Sequence, residues 1–315
     1  AMASMGTMPK VSWMLSDNEQ KTSAQAHAVS RFSAARPSRK SVRTSFEGSP
    51  LPVVSTQREC RNPRGQLLAM TDDHARHHVA ASTPIVILSP GFGCTQTDYL
   101  PLAEFLAVNR VRVLRYDHSN HVGRSEGDSL QTTLCGMQAD LQTVLAFAHA
   151  TWPAAPLVLV AEDLAARVAL KAAVQTPALT HVLLVNPVLD VPAAITDDAG
   201  RDLLAAYRQG ARTGPATLWG LNVHLDHFLG DLLAGGYQGA SSSSEDLAAV
   251  AARVTFLSTP HTDRTPAHQF PSYSAALRTL APSPTVVQLP APLFVPSLPM
   301  PERHQKAFTL LFREI

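Results

Sequence analysis

With 315 residues, 45% of them hydrophobic and 16% charged, the chain is long enough to bury a full core as one large domain with an appendage. A net charge of +1 argues against polyanion binding as the main task, so no nucleic-acid partner is expected. No apolar run approaches the roughly eighteen residues a membrane span needs. The 3 cysteines are odd in number and lack metal-ligand spacing, which suits reduced thiols in a cytoplasm. The 13 histidines are scattered without a supporting ligand pattern, so neither a metal nor a cofactor is expected.

Residues 1–50 read as a tag remnant (Ala1 to Thr7) followed by a flexible arm rich in Ser, Ala, Arg and Lys and poor in acids. A transit peptide has the same composition, and the plain arm is the preferred reading. The globular part is expected from Leu51, opening with a hairpin, Pro52 to Thr56 and Gln66 to Met70, around Asn62-Pro63-Arg64-Gly65. Strands at Ile85–Leu88, Val111–Tyr116, Leu157–Ala161 and His181–Val185 then alternate with helices at Tyr99–Val108, Thr133–Thr151 and Leu164–Val174. Apolar strands separated by amphipathic helices predict a parallel sheet covered on both faces. Residues 190–246 break the rhythm, with helical pieces at Leu203–Tyr207 and His224–Leu233 and a flexible run at Ser241–Ser244. This segment reads as a cap over the carboxyl edge of the sheet, the edge at which open α/β sheets bind ligands. The alternation resumes with strands at Val254–Ser258 and Thr285–Leu289 and helices at Tyr273–Leu280 and Glu302–Phe312. The core is thus 51–189 and 247–315.

Three loops at strand carboxyl ends carry the chemistry. In the first, Gly91, Phe92 and Gly93 form a glycine-rich turn suited to donating a backbone N–H to a developing oxyanion. The second is Ala161-Glu162-Asp163-Leu164-Ala165, a small-x-nucleophile-x-small turn between strand and helix. Its small residues let the two backbones nearly touch, and its central side chain is an aspartate where serine is commoner. As a helix N-cap, Asp163 has an ordinary structural use, and Arg167, four residues on, is placed to pair with it. As a cavity-facing carboxylate it is a candidate catalytic group, with the Leu164 amide as second oxyanion donor and Glu162 beside it. The third loop, Thr259 to Arg264, offers His261 and Asp263 as catalytic candidates, Asp263 at the position of the acid of a Ser-His-acid triad. The triad histidine should follow the last strand. Phe294 or a neighbour stands there instead, and the next histidine is His304 in the final helix. These features are those of an α/β-hydrolase fold whose hydrolytic triad lacks two members.

The stretch Arg115-Tyr116-Asp117-His118-Ser119-Asn120-His121-Val122-Gly123-Arg124-Ser125, together with Ala161, Leu164, Ala166, Arg167 and Val168, resembles the bacterial-luminescence acyltransferase family of acyl-thioester hydrolases. The resemblance is clearest over 83–174 and weaker through Phe228 and Asp231 to about Asp263. It implies an α/β-hydrolase fold with a helical cap and a tunnel suited to a long acyl or polyketide-like chain. His118 and His121 are expected to brace the oxyanion loop, with a role as substitute acid or base as the alternative.

The preferred expectation is a non-hydrolytic enzyme that cyclises, eliminates from or rearranges a hydrophobic acyl intermediate, free or carrier-bound, with Asp163 as base or charge stabiliser. Three alternatives stand beside it: a hydrolase with an aspartate nucleophile, an acyl-thioester hydrolase or acyltransferase, and a catalytically inactive ligand-binding or scaffold protein. A homodimer is an open possibility.

Overall fold

The computed structural model describes residues 41–44, 53–76, 80–259, 285–293 and 302–315. A nine-stranded sheet runs through them: β1 (Ser41–Thr44), β2 (Val53–Arg61), β3 (Leu67–Ala75), β4 (Ile85–Ser89), β5 (Arg112–Tyr116), β6 (Leu157–Glu162), β7 (Leu179–Val185), β10 (Arg253–Ser258) and β11 (Val286–Gln288). Their order across the sheet is β1-β2-β3-β5-β4-β6-β7-β10-β11. Pairing is antiparallel from β1 through β3 to β5 and parallel from there on. Strands β4 and β6 are buried at every residue, which is why they read as unbroken apolar runs rather than alternating ones.

Helices α1 (Leu100–Val108), α2 (Leu134–Thr151), α3 (Asp163–Val174) and α8 (Glu302–Glu314) accompany these strands. One apolar cluster gathers side chains of α2 and α3 on one face, including Leu141, Val144, Ala166 and Leu170. Another gathers α1 and α8 with Leu102, Leu106, Phe308 and Leu311. Alternate residues of the central strands feed the two: Ile87, Leu159 and Leu184 enter the first, Val86, Val158 and Val185 the second.

Between β7 and β10 lie α4 (Val191–Ala199), α5 (Leu203–Arg208), the hairpin β8 (Pro215–Leu218) and β9 (Leu221–His224), α6 (Leu225–Ala234) and α7 (Gly239–Ala249). A third apolar cluster joins this segment to the start of α2 and α3 through Leu134, Leu164, Val168, Ile195, Val223 and Phe228.

Several expectations need correction. Ser41–Thr44, placed in the flexible arm, pair antiparallel with Val53–Thr56. Each opening strand has 9 residues and is longer than expected, because the ladder runs from Arg61 against Leu67 to Val53 against Ala75. The serine run Ser241–Ser244 is helical. Ser242 Oγ donates to the Gly239 carbonyl at 2.9 Å and the buried Ser243 to the Leu189 carbonyl at 2.7 Å, so hydroxyls that elsewhere compete with a helix here tie down its first turn. Helix α7 also runs through the expected boundary at 246/247. The helix expected at 273–280 lies outside the described residues.

Candidate active site

Parallel pairing sets Ser89, the last residue of β4, beside Ala161 in β6, so the loop after β4 and the turn into α3 start from neighbouring points of one sheet edge. Asp163 opens α3 with φ 54, a left-handed conformation that non-glycine residues adopt rarely. That turn reverses the chain from strand to helix within one residue and presents the aspartate side chain, half-buried, at the strand end. The turn is held by the Val188 amide, which donates to the Asp163 carbonyl at 3.1 Å. A carbon placed at Gly91 would lie 3.7 Å from Asp163 Oδ2, 3.5 Å from Cys94 Sγ and 3.4 Å from Tyr99 Oη. The carboxylate of Asp163 therefore stands against the glycine loop.

The loop amides divide into engaged and unengaged. Gly91 N–H donates to Tyr99 Oη at 3.2 Å, Gly93 N–H to His121 Nε2 at 3.1 Å and Cys94 N–H to the Gly91 carbonyl at 2.9 Å. Among the described residues none accepts from the Phe92 amide. The Leu164 amide lies in the first turn of α3, where no intrahelical acceptor exists. Among the described residues, the Phe92 and Leu164 amides are thus left without an acceptor. Gly91 and Gly93, expected as donors alongside Phe92, instead have their amides committed to side chains that shape the loop.

His121 holds the loop. Because its Nε2 accepts from Gly93, the ring proton sits on Nδ1 and the imidazole is neutral. Burial, with His118 adding to it, lowers its pKa to about 3. His118 is buried, with Nε2 3.3 Å from Tyr116 Oη and Nδ1 3.8 Å from Asp140 Oδ2. Tyr116 Oη in turn meets Ser89 Oγ at 2.9 Å. Asp140 also accepts from the Ser119 amide and from Asn62 Nδ2, both at 2.7 Å. Burial raises the Asp140 pKa, and the hydrogen bonds and charge of His118 with those of Asn62 and Ser119 outweigh it, leaving the carboxyl below its ordinary value. Asp117 accepts from the Gln96 amide at 2.7 Å, from Gln96 Nε2 at 2.9 Å and from the Arg124 amide at 2.8 Å. The Tyr-Asp-His segment is therefore a buried polar frame under the glycine loop.

Glu162, expected near substrate, is buried and accepts from Tyr99 Oη at 2.9 Å. Burial, then the Glu162 charge, pushes the Tyr99 phenol well above its ordinary pKa, so it remains a neutral donor. Tyr99 was not singled out from sequence. It precedes a largely apolar helix, and no pattern distinguishes a hydroxyl that reaches back to a loop. Asn186 is a second such residue. At φ 42 beyond β7, it donates through Nδ2 to Thr259 Oγ1 at 2.6 Å and accepts the Thr259 amide at 2.9 Å, fixing the start of the third loop.

Arg167 turns away from the elbow. Its fully buried guanidinium pairs with Asp246 of α7 at 2.7 Å, bonds Ser242 at 3.2 Å and covers the Tyr237 ring at 5.0 Å. The helical spacing to Asp163 is the expected one, but α7 supplies the partner. His261, Asp263 and Phe294 lie outside the described residues. His304 is buried in α8. Among the described residues no group of three or more His, Cys, Asp or Glu is arranged to hold a metal ion, and no helix is long and apolar enough to cross a membrane. Cys60, Cys94 and Cys135 are not joined in disulfides.

Residues 64–196 match the model of the acyl transferase family. An acyl transferase of Photobacterium phosphoreum is 32% identical over 84 residues, which cover 27% of this chain and 28% of that protein. The chain thus aligns with little more than a quarter of this curated relative's length. Among solved structures, an acetyl xylan esterase from Paenibacillus sp. R4 superposes with a TM-score of 0.58 at 13% identity, covering 87% of this chain and 88% of its own. A thioesterase domain from the curacin biosynthetic pathway gives a TM-score of 0.52 at 15% identity, covering 82% and 98%. The strand order, the strained turn at Asp163 and these superpositions together make the fold that of the α/β-hydrolases, similar over residues 64–196 to the acyl transferases.

Proposed function

We propose that this chain is an enzyme that binds a hydrophobic acyl chain, free or carrier-bound, and rearranges, cyclises or eliminates from it without hydrolysis, with Asp163 as general base. The observation that carries the reading is the elbow. A carboxylate is held at φ 54 with Oδ2 against the Gly91 loop, beside two backbone donors, Phe92 and Leu164, free to take an oxygen. A carbonyl bound by those amides becomes more acidic at its α carbon. Asp163 then accepts the α proton, and the C–H electron pair moves toward the carbonyl oxygen, where the amides stabilise the growing negative charge. Return of the proton elsewhere, attack by the new carbanion or loss of a β substituent gives the three outcomes.

Hydrolysis needs a base aimed at water. The residues that follow β11 contain no histidine before His304, which is buried in α8. Triad enzymes carry the imidazole that releases their acyl group after the last strand, and the sequence has no histidine at that place.

Acyl-thioester transfer is the second reading, and the match of residues 64–196 to the acyl transferase model favours it. In that case Asp163 is the nucleophile. Incubation with the N-acetylcysteamine thioester of tetradecanoate separates the readings. The base mechanism leaves intact thioester, unmodified protein and no free acid. An acyl adduct on the Asp163 peptide would establish transfer, and accumulating tetradecanoate would overturn the non-hydrolytic assignment.

A further inference from the structure

The hairpin β8–β9 turns through two residues, Trp219 and Gly220, with φ 47 and 82. Positive φ at both positions is what the twist of a tight hairpin demands, and Asn-Gly or Asp-Gly satisfies it with little strain. A bulky indole at the first position is strained, and strain of this kind persists where the surroundings fix it for a purpose. Here the surroundings do fix it: the Trp219 amide donates to Asp198 Oδ2 at 3.2 Å. The tip reaches the glycine loop, where a carbon at Gly93 would lie 4.0 Å from the Trp219 carbonyl oxygen. The indole meets the Phe92 ring edge-on at a centroid distance of 5.7 Å. His121 and Phe228 pack on the same ring at 5.3 and 6.1 Å.

Within this apolar setting Trp219 Nε1 is buried and, among the described residues, has no hydrogen-bond acceptor. Its neighbours in the apolar cluster, including Leu218, Leu221 and Phe228, offer none. An indole N–H only donates, and a buried donor without a partner is uncommon in folded proteins. A strained backbone and an unmet donor occur at the same residue, whose ring meets that of Phe92, and they have one common account.

We infer that Trp219 is a ligand-binding residue whose indole N–H donates a hydrogen bond to a neutral oxygen on the bound chain, a keto or hydroxyl group near the carbonyl held by Phe92 and Leu164. The inference rests on the acyl-binding reading above. Phe92 supplies both the amide for the first oxygen and the ring that abuts Trp219, so the second oxygen belongs within a few bonds of the first. A 3-oxo acyl chain fits this spacing, and a plain alkyl chain leaves the donor unmet.

The test compares tetradecanoyl and 3-oxotetradecanoyl N-acetylcysteamine thioesters bound to the full chain carrying 15N-labelled tryptophan. Of the 3 indole signals, that of Trp219 is identified by its loss in W219F and by its survival alone in W13F/W152F. The expected result is a downfield shift of the Trp219 signal with the 3-oxo probe only. W219F, which keeps an aromatic ring against Phe92, should bind the 3-oxo probe roughly threefold to tenfold more weakly and the plain probe unchanged. If W219F fails to fold, the indole signal of W13F/W152F decides. An unmoved Trp219 signal, or equal loss of both probes in W219F, overturns the role of Trp219 and leaves acyl binding standing. Failure of both probes to bind the wild-type chain overturns the acyl-binding reading and this inference with it.

Discussion

Tyr99 Oη donates to the buried Glu162 carboxylate at 2.9 Å while accepting the Gly91 amide at 3.2 Å, so one phenol ties the glycine loop to the residue preceding Asp163. The distance between the loop and the elbow is therefore set by a side chain from a different helical turn. Replacing Tyr99 with Phe removes both bonds in a fully enclosed site. The expected loss of stability is about 1–3 kcal/mol, measurable by denaturant titration. Turnover should fall by up to about 100-fold with a smaller change in KM, because the donors are displaced rather than removed.

The strain at Asp163 is open to a paired substitution. Asp163→Ala and Asp163→Gly both delete the carboxylate, and they differ in tolerance of φ 54. The Gly variant should be the more stable by roughly 1 kcal/mol, since alanine meets the steric penalty that glycine lacks. Equal melting temperatures would mean that the turn relaxes once the carboxylate is gone.

The neutral His121 makes a pH prediction with a definite sign. Its folded pKa of about 3 lies below the ordinary histidine value, so between about pH 3 and 6.5 the unfolded chain binds the extra proton and the native chain does not. The group's contribution favours folding fully above about pH 6.5, and stability falls as the pH drops below it. His121→Gln, which keeps an acceptor for the Gly93 amide, should flatten the fall of melting temperature between about pH 6 and 4. An unchanged slope would show that His121 is protonated in the native state.

Arg167 and Asp246 join α3, the helix that begins at Asp163, to α7 through an ion pair at 2.7 Å whose guanidinium is fully buried. Asp246→Ala leaves that charge buried without its carboxylate and should cost about 3 kcal/mol. Asp246→Asn should cost less by retaining a hydrogen-bond acceptor. A thermal shift of both variants measured side by side checks the order.

The parallel sheet and the elbow were legible in the sequence because each rests on a local rule. Fully buried strands such as Leu157–Glu162 are unbroken apolar runs, and the turn at Asp163 needs Ala161 and Ala165 to be small. What escaped depends on distant partners. The hairpin Pro215–His224 was missed because Trp219 occupies the position where asparagine or aspartate signals a tight turn. The helix through Ser241–Ser244 was misread because its hydroxyls find acceptors at Gly239 and Leu189. Arg167 has the right helical spacing to Asp163, yet Asp246 claims it from another helix. In the site, the turn pattern points to Phe92 and Leu164 as candidate donors. It does not point to the commitment of Gly91 to Tyr99 and of Gly93 to His121, since neither partner is near in sequence.

The most direct measurement of a base at position 163 is exchange of the α protons of a bound tetradecanoyl N-acetylcysteamine thioester in deuterated water, followed by NMR with the full chain. Deuterium should enter the α carbon while the thioester stays intact, and Asp163→Asn should abolish the incorporation without abolishing probe binding. Equal incorporation by the Asn variant, or release of free tetradecanoate in place of exchange, would contradict the assignment of Asp163 as the base.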